Sequence, residues 1–586
     1  MAKDCFAGCA YLLEEQNSAS VFTPEDFSDE QKQIAETTEQ FITNEIVPND
    51  EAIESKDFEL TKAKLLECGE LGLLMMDVEE DAGGLELDKA TSMLVAEKMG
   101  FAGSFGVTYM CHTGIGSLPL IYYGNEDQKS RYLEKIMTGE WAASYCLTEP
   151  GSGSDALGAK TSAVLSEDGK YYILNGTKQF ITNSAFADLF TVFAKVDKEH
   201  FTGFLLERGY EGLTLGPEEK KMGMKGTSTR QVIMDNVKVP VENLLGEIGK
   251  GHKIAFNILN VGRFKLGAFA VGQTKFALRE AARYANERKQ FNTRISEFGA
   301  IKEKLADMCA ATYAGESLVY RLAGMLDGRL ATVGKGSDYY AKYLQGIEEF
   351  AAECAASKVY CTEVVARAAD ESLQVHGGYG YISEYPIEHL YRDERVQRIW
   401  EGTNEINRIL LPGIFLRKAL VGEFCLESAV KGALGALQSA SEAVSGERFA
   451  EAKSLLARYK SLFLALLGAA GRKYGKALQN EQEILLAIAD IAIQIFALES
   501  TVLRAEKTFD AVGATKQEQI EAIVTVVAFD AAENLATAVQ KAAGYIDEES
   551  SLALIDNNLK RFTVKGLLAA KRLLAEATSQ SEKYIF

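Results

Sequence analysis

Tyr145-Cys146-Leu147-Thr148-Glu149-Pro150-Gly151-Ser152-Gly153-Ser154-Asp155 separates two hydrophobic periods in this sequence. Before it, from 29 to about 139, apolar residues recur at three-to-four spacing, as in Ala63-Lys64-Leu65-Leu66. That period predicts amphipathic helices, among them 89–99 and 126–136, interrupted by a loop at Glu79-Glu80-Asp81-Ala82-Gly83-Gly84. After it come short β-prone runs at 161–165, 171–174, 189–196, 202–206 and 231–234, punctuated by glycine and proline. Asp168-Gly169 between the first two runs is a hairpin signal. The dividing stretch reads as a loop whose small residues let a backbone approach a ligand, while Thr148, Ser152 and Ser154 offer hydroxyls to a polar ring or to phosphates. It has neither a GxGxxG fingerprint nor a Walker lysine, and a plain interdomain loop is the alternative.

Beyond Gly251 the helical period returns at 253–288, 301–326, 337–372 and 403–411, four runs without intervening strands, which suggests an antiparallel bundle. Pro412 is the last of 8 prolines. From there to Phe586 the chain is rich in Ala, Leu, Glu and Lys, so a further helical domain is expected. The run 484–498 carries Asp490 and Gln494 and reads as too short and too polar to span a bilayer, hence as a buried bundle helix. Lys560, Arg561, Lys565, Lys571 and Arg572 form a basic stripe read as a solvated helix face, with membrane contact at most peripheral.

Composition excludes several classes. The 586 residues exceed one ordinary domain and suggest roughly three or four. A net charge of -20 opposes binding to nucleic acid or anionic lipid. The 9 cysteines include no CxxC pair and the 5 histidines are dispersed, so neither a disulfide framework nor a metal is expected. The first residues lack a signal or transit pattern, and cytoplasm is the expected location.

A second informative stretch is Arg395-Val396-Gln397-Arg398-Ile399-Trp400-Glu401-Gly402-Thr403-Asn404-Glu405. Gly402 loosens the backbone and Thr403-Asn404 are helix N-cap types, so Glu401 sits on a turn entering a helix. Trp400 would raise its proton affinity by excluding water, while the helix N-terminus favours the charged form. Solvated capping is the plain alternative.

Together with Asn175-Gly176-Thr177-Lys178-Gln179-Phe180-Ile181-Thr182-Asn183, Lys221-Met222-Gly223-Met224-Lys225, Arg288-Lys289-Gln290-Phe291 and Gln374-Val375-His376-Gly377-Gly378-Tyr379-Gly380, these stretches give the chain its likeness. It resembles the acyl-CoA dehydrogenases over about 25–415, most of all their very-long-chain branch, because of the added C-terminal region. The resemblance implies a mainly α fold with a central β-domain: an α-domain at 25–144, a β-barrel domain at 145–251, a four-helix bundle at 252–415 and an extra helical domain at 420–586.

It implies FAD as cofactor. Tyr145, Cys146, Leu147, Thr148, Gly153 and Ser154 would hold the flavin, with Ser154 also near the acyl-CoA. Phe180, Ile181 and Thr182 would line it, Phe180 standing where relatives usually have Trp. Thr403, Asn404 and Glu405 would also face the flavin. Arg288, with Gln290 and Phe291, would meet the pyrophosphate, and Gln374, His376, Gly377 and Gly378 the adenosine half, all from the neighbouring subunit of a homodimer. Asn260 and Arg263, at i, i+3 on one helix face, match acyl-CoA contacts. Some relatives carry their base just before that arginine; here Gly262 stands there, leaving Glu401 without a rival and leaving room for a long acyl chain.

The implied chemistry is α,β-dehydrogenation of acyl-CoA to trans-2-enoyl-CoA. Glu401 removes the Cα proton, flavin N5 accepts hydride, and the N–H of Glu401, beside Gly402, meets the thioester oxygen. Electrons would pass to electron-transfer flavoprotein. An acyl-CoA oxidase using oxygen, and an assembly or scaffold protein retaining the flavin fold, are the alternatives.

Overall fold

The computed structural model describes residues 8–336, 338–439, 447–559 and 564–586, in two compact units. The first comprises 28–265 and 333–348. Its helices are α1 (Asp29–Phe41), α2 (Asp50–Glu54), α3 (Phe58–Glu70), α4 (Lys89–Met99), α5 (Gly103–Cys111), α6 (Leu118–Tyr123) and α7 (Glu126–Thr138). Local chemistry sets their ends. Ser28 and Gln31 cap α1 reciprocally, Asn125 and Gln128 do the same for α7, and Gly139 stops α7 at φ 77°.

The period change produces β1 (Ala142–Cys146), β2 (Ser162–Leu165), β3 (Tyr171–Thr182), β4 (Ala187–Val196), β5 (His200–Glu207), β6 (Leu213–Leu215), β7 (Thr229–Pro240) and β8 (Leu244–Leu245). Their sheet has the order β6-β7-β3-β2-β4-β5-β8, with β1 parallel to β4. Asp168-Gly169 makes the expected β2–β3 hairpin, Gly169 taking φ 69°. The loop expected from Tyr145 is corrected at its first two residues. Tyr145 and Cys146 end β1, opposite Thr191 and Val192. All five residues of β1 are buried, so the alternation that marks a half-buried strand is missing from the sequence.

The second unit comprises 8–27, 266–332 and 349–586 among the described residues. Helix α8 (Gly251–Glu287) leads into it, followed by a hairpin of β9 (Lys289–Gln290) and β10 (Thr293–Arg294) where no strand was expected. Its turn, Phe291-Asn292, has φ 53° and 60°, the paired left-handed residues of a two-residue hairpin. Then come α9 (Gly299–Leu330), α10 (Tyr339–Glu349), α11 (Ala351–His376), α12 (Pro386–Glu394) and α13 (Asn404–Leu420). The run expected at 337–372 is two helices, parted at Phe350 (φ -101°, ψ 21°); residue 337 lies outside the described residues. Helix α13 continues through Pro412 instead of stopping, because burial of Leu411, Pro412, Ile414 and Phe415 outweighs one lost backbone bond.

The C-terminal helices are α14 (Leu426–Gln438), α15 (Ala450–Tyr474), α16 (Gln482–Phe509), α17 (Ala514–Ile546), α18 (Glu549–Asn558) and α19 (Leu567–Ser581). Helix α16 packs against α15, α17, α9, α11 and α13. The expectation that 484–498 is too short for a membrane is corrected: α16 has 28 residues and, like α8 and α17, is long and apolar enough to cross one by length and composition. It is nonetheless a buried helix, with 83% of its apolar window inside the protein. Lys560 and Arg561 of the basic stripe lie outside the described residues. Lys571 turns inward to Glu303 (3.0 Å) and Asp307 (2.9 Å) instead of facing solvent.

One buried acid gives this unit a pH dependence. Glu353 on α11 is fully buried; its Oε1 accepts the Cys9 N–H at 2.5 Å, and its Oε2 has no hydrogen-bond partner among the described residues. Burial pushes its pKa from 4.5 to about 7. The folded state therefore keeps a proton that the unfolded chain releases, and stability falls as pH rises through that window. Glu353→Gln is expected to melt like the parent near pH 5 and to be roughly 3 kcal/mol more stable at pH 8. Thermal scans at the two pH values check this; an equal effect at both contradicts it.

Candidate active site

Glu401 is reached through a short 3-10 turn, Arg395–Arg398, whose Val396 carbonyl accepts the N–H groups of Ile399 and Trp400. Glu401 itself has φ 55° and Gly402 φ 83°. Thr403 then caps α13, its Oγ1 accepting from the Ile406 N–H at 3.3 Å. The carboxylate thus stands on a turn entering a helix. A left-handed glutamate costs on the order of 1–3 kcal/mol and persists only where its surroundings hold it.

They do. The Gly402 carbonyl accepts Lys358 Nζ (2.9 Å) and Asn407 Nδ2 (2.8 Å), and Lys358 is completely buried. Asn404 is 3% exposed. Its Oδ1 accepts Lys358 Nζ (2.7 Å), and its Nδ2 donates to Thr362 Oγ1 (3.2 Å) and Glu363 Oε1 (3.0 Å). The cofactor contact expected of Asn404 is therefore corrected for its side chain, which serves the turn. Thr403 and Glu405 remain at the surface. Lys358 and Asn407 were missed by sequence reasoning. A lone cation within Ala355-Ala356-Ser357-Lys358-Val359 was the available signal.

In the same unit, a cleft of about 510 Å³ lies among Tyr284, Arg288, Gln290, His376, Gly377 and Tyr379. The Arg288 guanidinium is 5.5 Å from the Tyr379 ring centroid. His376 stacks on Tyr284 at 4.3 Å, and its Nδ1 bonds the Ser372 carbonyl. Burial lowers the His376 pKa from 6.5, so the ring is neutral at pH 7. Gly377 ends α11 at φ 59°, and a Cβ on Gly377 or Gly378 would meet nothing within 4 Å, which leaves a backbone cradle open to a ligand. Gln374 and Gln290 are exposed, and Phe291 is 90% exposed on its hairpin turn.

In the other unit, the loop after β1 is fastened from behind. The buried Glu149 carboxylate accepts Lys178 Nζ (2.7 Å), Lys160 N–H (2.6 Å) and Thr161 N–H (3.0 Å). Thr148 O accepts the Gln179 N–H at 2.8 Å. Glu149 and Lys178 therefore support the loop, roles not assigned to them from sequence. Cys146 and Ile181 are buried, leaving their backbones to a ligand. The Tyr145 hydroxyl donates to the Ala255 carbonyl, and Leu147 is buried. Thr148 and Thr182 are partly exposed, Gly153 and Ser154 are exposed, and a Cβ on Gly153 would meet nothing within 4 Å. Phe180 sits in the left-handed region (φ 59°) where the β3–β7 register slips between Lys178 and Ile181, and its ring is 60% exposed. A bulge thus re-aims an aromatic face outward. Arg263 Nη1 donates to Asn260 Oδ1 at 2.9 Å, both buried on one face of α8 as their spacing predicts. An exposed aromatic ring, hydroxyls on a glycine-opened loop and a guanidinium beside a glycine cradle fit the parts of a flavin dinucleotide.

Comparison with known proteins agrees. Acyl-CoA dehydrogenase family descriptions match along the chain: the N-terminal domain at 28–140, the middle domain at 144–237 and C-terminal domains at 249–412 and 458–561. A probable acyl-CoA dehydrogenase of Bacillus subtilis is 44% identical over 588 residues, covering 100% of this chain and 99% of that protein. The very long-chain specific mitochondrial acyl-CoA dehydrogenase of Homo sapiens is 35% identical over 520 residues, 83% of this chain and 76% of that protein. The crystal structure of a Bacillus anthracis acyl-CoA dehydrogenase complexed with FAD superposes with a TM-score of 0.96 at 46% identity, covering 99% of this chain and 100% of that one. The chain belongs to the acyl-CoA dehydrogenase family of FAD-dependent oxidoreductases.

Proposed function

We propose that the protein dehydrogenates long-chain acyl-CoA to trans-2-enoyl-CoA in fatty acid β-oxidation and passes the electrons to electron-transfer flavoprotein. The observation that carries the reading is Glu401, a carboxylate held in a left-handed turn at a capped helix N-terminus, with Gly262 where a rival base would stand. Tyr145, Cys146, Leu147, Thr148, Gly153, Ser154, Phe180, Ile181 and Thr182 would hold the flavin. Arg288, Gln290, Phe291, Gln374, His376, Gly377 and Gly378 would hold the rest of FAD. Bound FAD supplies an acceptor for the hydrogen and electron pair leaving Cβ.

The chain's own residues do the rest. Glu401 takes the Cα proton, and its backbone N–H donates to the thioester oxygen as charge develops there. Trp400 excludes water from the carboxylate, which raises its affinity for that proton. Asn260, Arg263 and Ser154 bind the acyl-CoA. Gly262 and the kinship with very-long-chain relatives support a long acyl chain. The exposed Phe291 hairpin supports a homodimer.

The test is anaerobic titration of the purified protein with acyl-CoAs of four to twenty carbons, following bleaching of the flavin. Bleaching that strengthens with long chains is expected. A profile peaking at four carbons contradicts the chain-length reading, peroxide formed from acyl-CoA alone identifies an oxidase, and a colourless protein that binds no acyl-CoA overturns the whole reading.

A further inference from the structure

The turn that carries Glu401 is bonded, link by link, to the C-terminal helices. Lys358 on α11 grips the Gly402 carbonyl and the Asn404 amide, and Asn404 in turn donates to Glu363 on α11. Both Glu363 oxygens are held by Arg408 of α13, through Nη1 (2.7 Å) and Nη2 (2.9 Å). Arg408 Nε then donates to Asp490 Oδ1 at 2.7 Å. Asp490 belongs to α16, beyond the matched segment 249–412 that contains Glu401.

Asp490 is an odd residue for its place. Its neighbours Ile488, Ala489, Ile491 and Ala492 are buried, and α16 is the most enclosed helix of the extension by this pattern. A carboxylate on such a helix costs desolvation that an apolar side chain of similar size avoids. Its pair with Arg408 is also partly open, the two side chains being 17% and 37% exposed, so the pair adds little stability. The bond's effect lies in direction: it fixes the plane of a guanidinium whose other edge meets Glu363 bidentately.

We propose that the C-terminal extension is a positioning element for the catalytic turn, with Asp490 acting through Arg408, Glu363, Asn404 and Lys358 to hold the Gly402 carbonyl and hence Glu401 in its left-handed conformation. The inference rests on Glu401 being the base. It gives the extension a role in the chemistry of its own subunit, distinct from covering a surface.

The experiment uses the full-length holoenzyme with Asp490→Ala, Asp490→Asn, Arg408→Lys, Lys358→Met and the Asp490→Ala/Lys358→Met double variant. FAD content, Tm, KM, kcat and the pH profile of kcat are measured with a long-chain acyl-CoA and a dye acceptor. Misplacing a reacting group by an ångström costs up to ~10²-fold, so a base merely loosened is expected to lose roughly three- to tenfold in kcat. Asp490→Ala and Arg408→Lys should show that loss with a displaced pH profile, while KM and FAD content stay put. Asp490→Asn, which keeps an oxygen for Arg408, should recover most of it. The double variant should be no slower than Lys358→Met alone, as members of one relay are non-additive.

Parent-like kcat and pH profile in Asp490→Ala, or losses that multiply in the double variant, overturn the proposal. If Asp490→Ala does not fold, Arg408→Lys with a normal Tm decides alone. Glu401→Gln run alongside separates the two levels. If it is as active as the parent, the base assignment falls; if it is inactive while Asp490→Ala and Arg408→Lys are parent-like, only the relay falls.

Discussion

Glu401→Gln is expected to lower kcat by ~10²–10⁴, the usual contribution of a positioned general base. Glutamine preserves the size of the side chain and tolerates the left-handed backbone about as well as glutamate, so the turn and the Lys358 and Asn407 bonds to the Gly402 carbonyl should stay as they are. FAD content, Tm and KM are therefore expected near the parent's. The amide cannot take the Cα proton, and Gly262 offers no substitute. Steady-state rates with a dye acceptor, alongside the flavin-to-protein absorbance ratio, check both halves. A rate within a few-fold of the parent's means that the proton goes elsewhere.

Arg504→Met has the largest expected effect on stability. The Arg504 side chain is 1% exposed, with Nη1 on Glu316 (2.6 Å), Nη2 on Glu25 (2.7 Å) and the guanidinium 4.2 Å from the Tyr313 ring centroid. Glu316 also takes Lys275 and the Tyr584 hydroxyl, so one cluster ties α9, α16, the segment before α1 and the chain's last residues together. Removing one partner of a buried pair costs ~3–5 kcal/mol, because the other charge is left desolvated. The cations Lys275 and Arg504 outweigh burial and lower the Glu316 pKa from 4.5 to about 2.

The sign follows from that direction. The Glu316 contribution is present above pH 4.5 and is lost as pH falls toward 2. The gap between parent and variant should thus be widest near pH 7 and shrink at pH 3. Denaturant midpoints at both pH values measure it. A gap below 1 kcal/mol at pH 7, or one that grows on acidification, contradicts the account.

Local signals made much of the fold legible. Asp168-Gly169 marks its hairpin because Gly accepts φ 69° without strain, and Thr403 marks the start of α13 because a hydroxyl can cap it. β1 was hidden because burial on both faces erases alternation. The break at Phe350 has neither glycine nor proline to announce it, and the Phe291-Asn292 turn lacks the usual glycine. Pro412 misled in the other direction, since packing carried the helix through it.

At the candidate site the residues facing a ligand were readable, as their types state their chemistry. Those that hold them were not: Lys358, Asn407 and Asp490 act through partners far away in sequence, and nothing in their local pattern names those partners.

The most direct test of the central claim is a single turnover. Parent and Glu401→Gln, each loaded with FAD, are mixed anaerobically with a saturating long-chain acyl-CoA, and loss of flavin absorbance is followed with no electron acceptor present. The account predicts rapid bleaching in the parent and bleaching at least ~10²-fold slower in the variant, with trans-2-enoyl-CoA formed in step with it. Equal bleaching rates in the two proteins would contradict it.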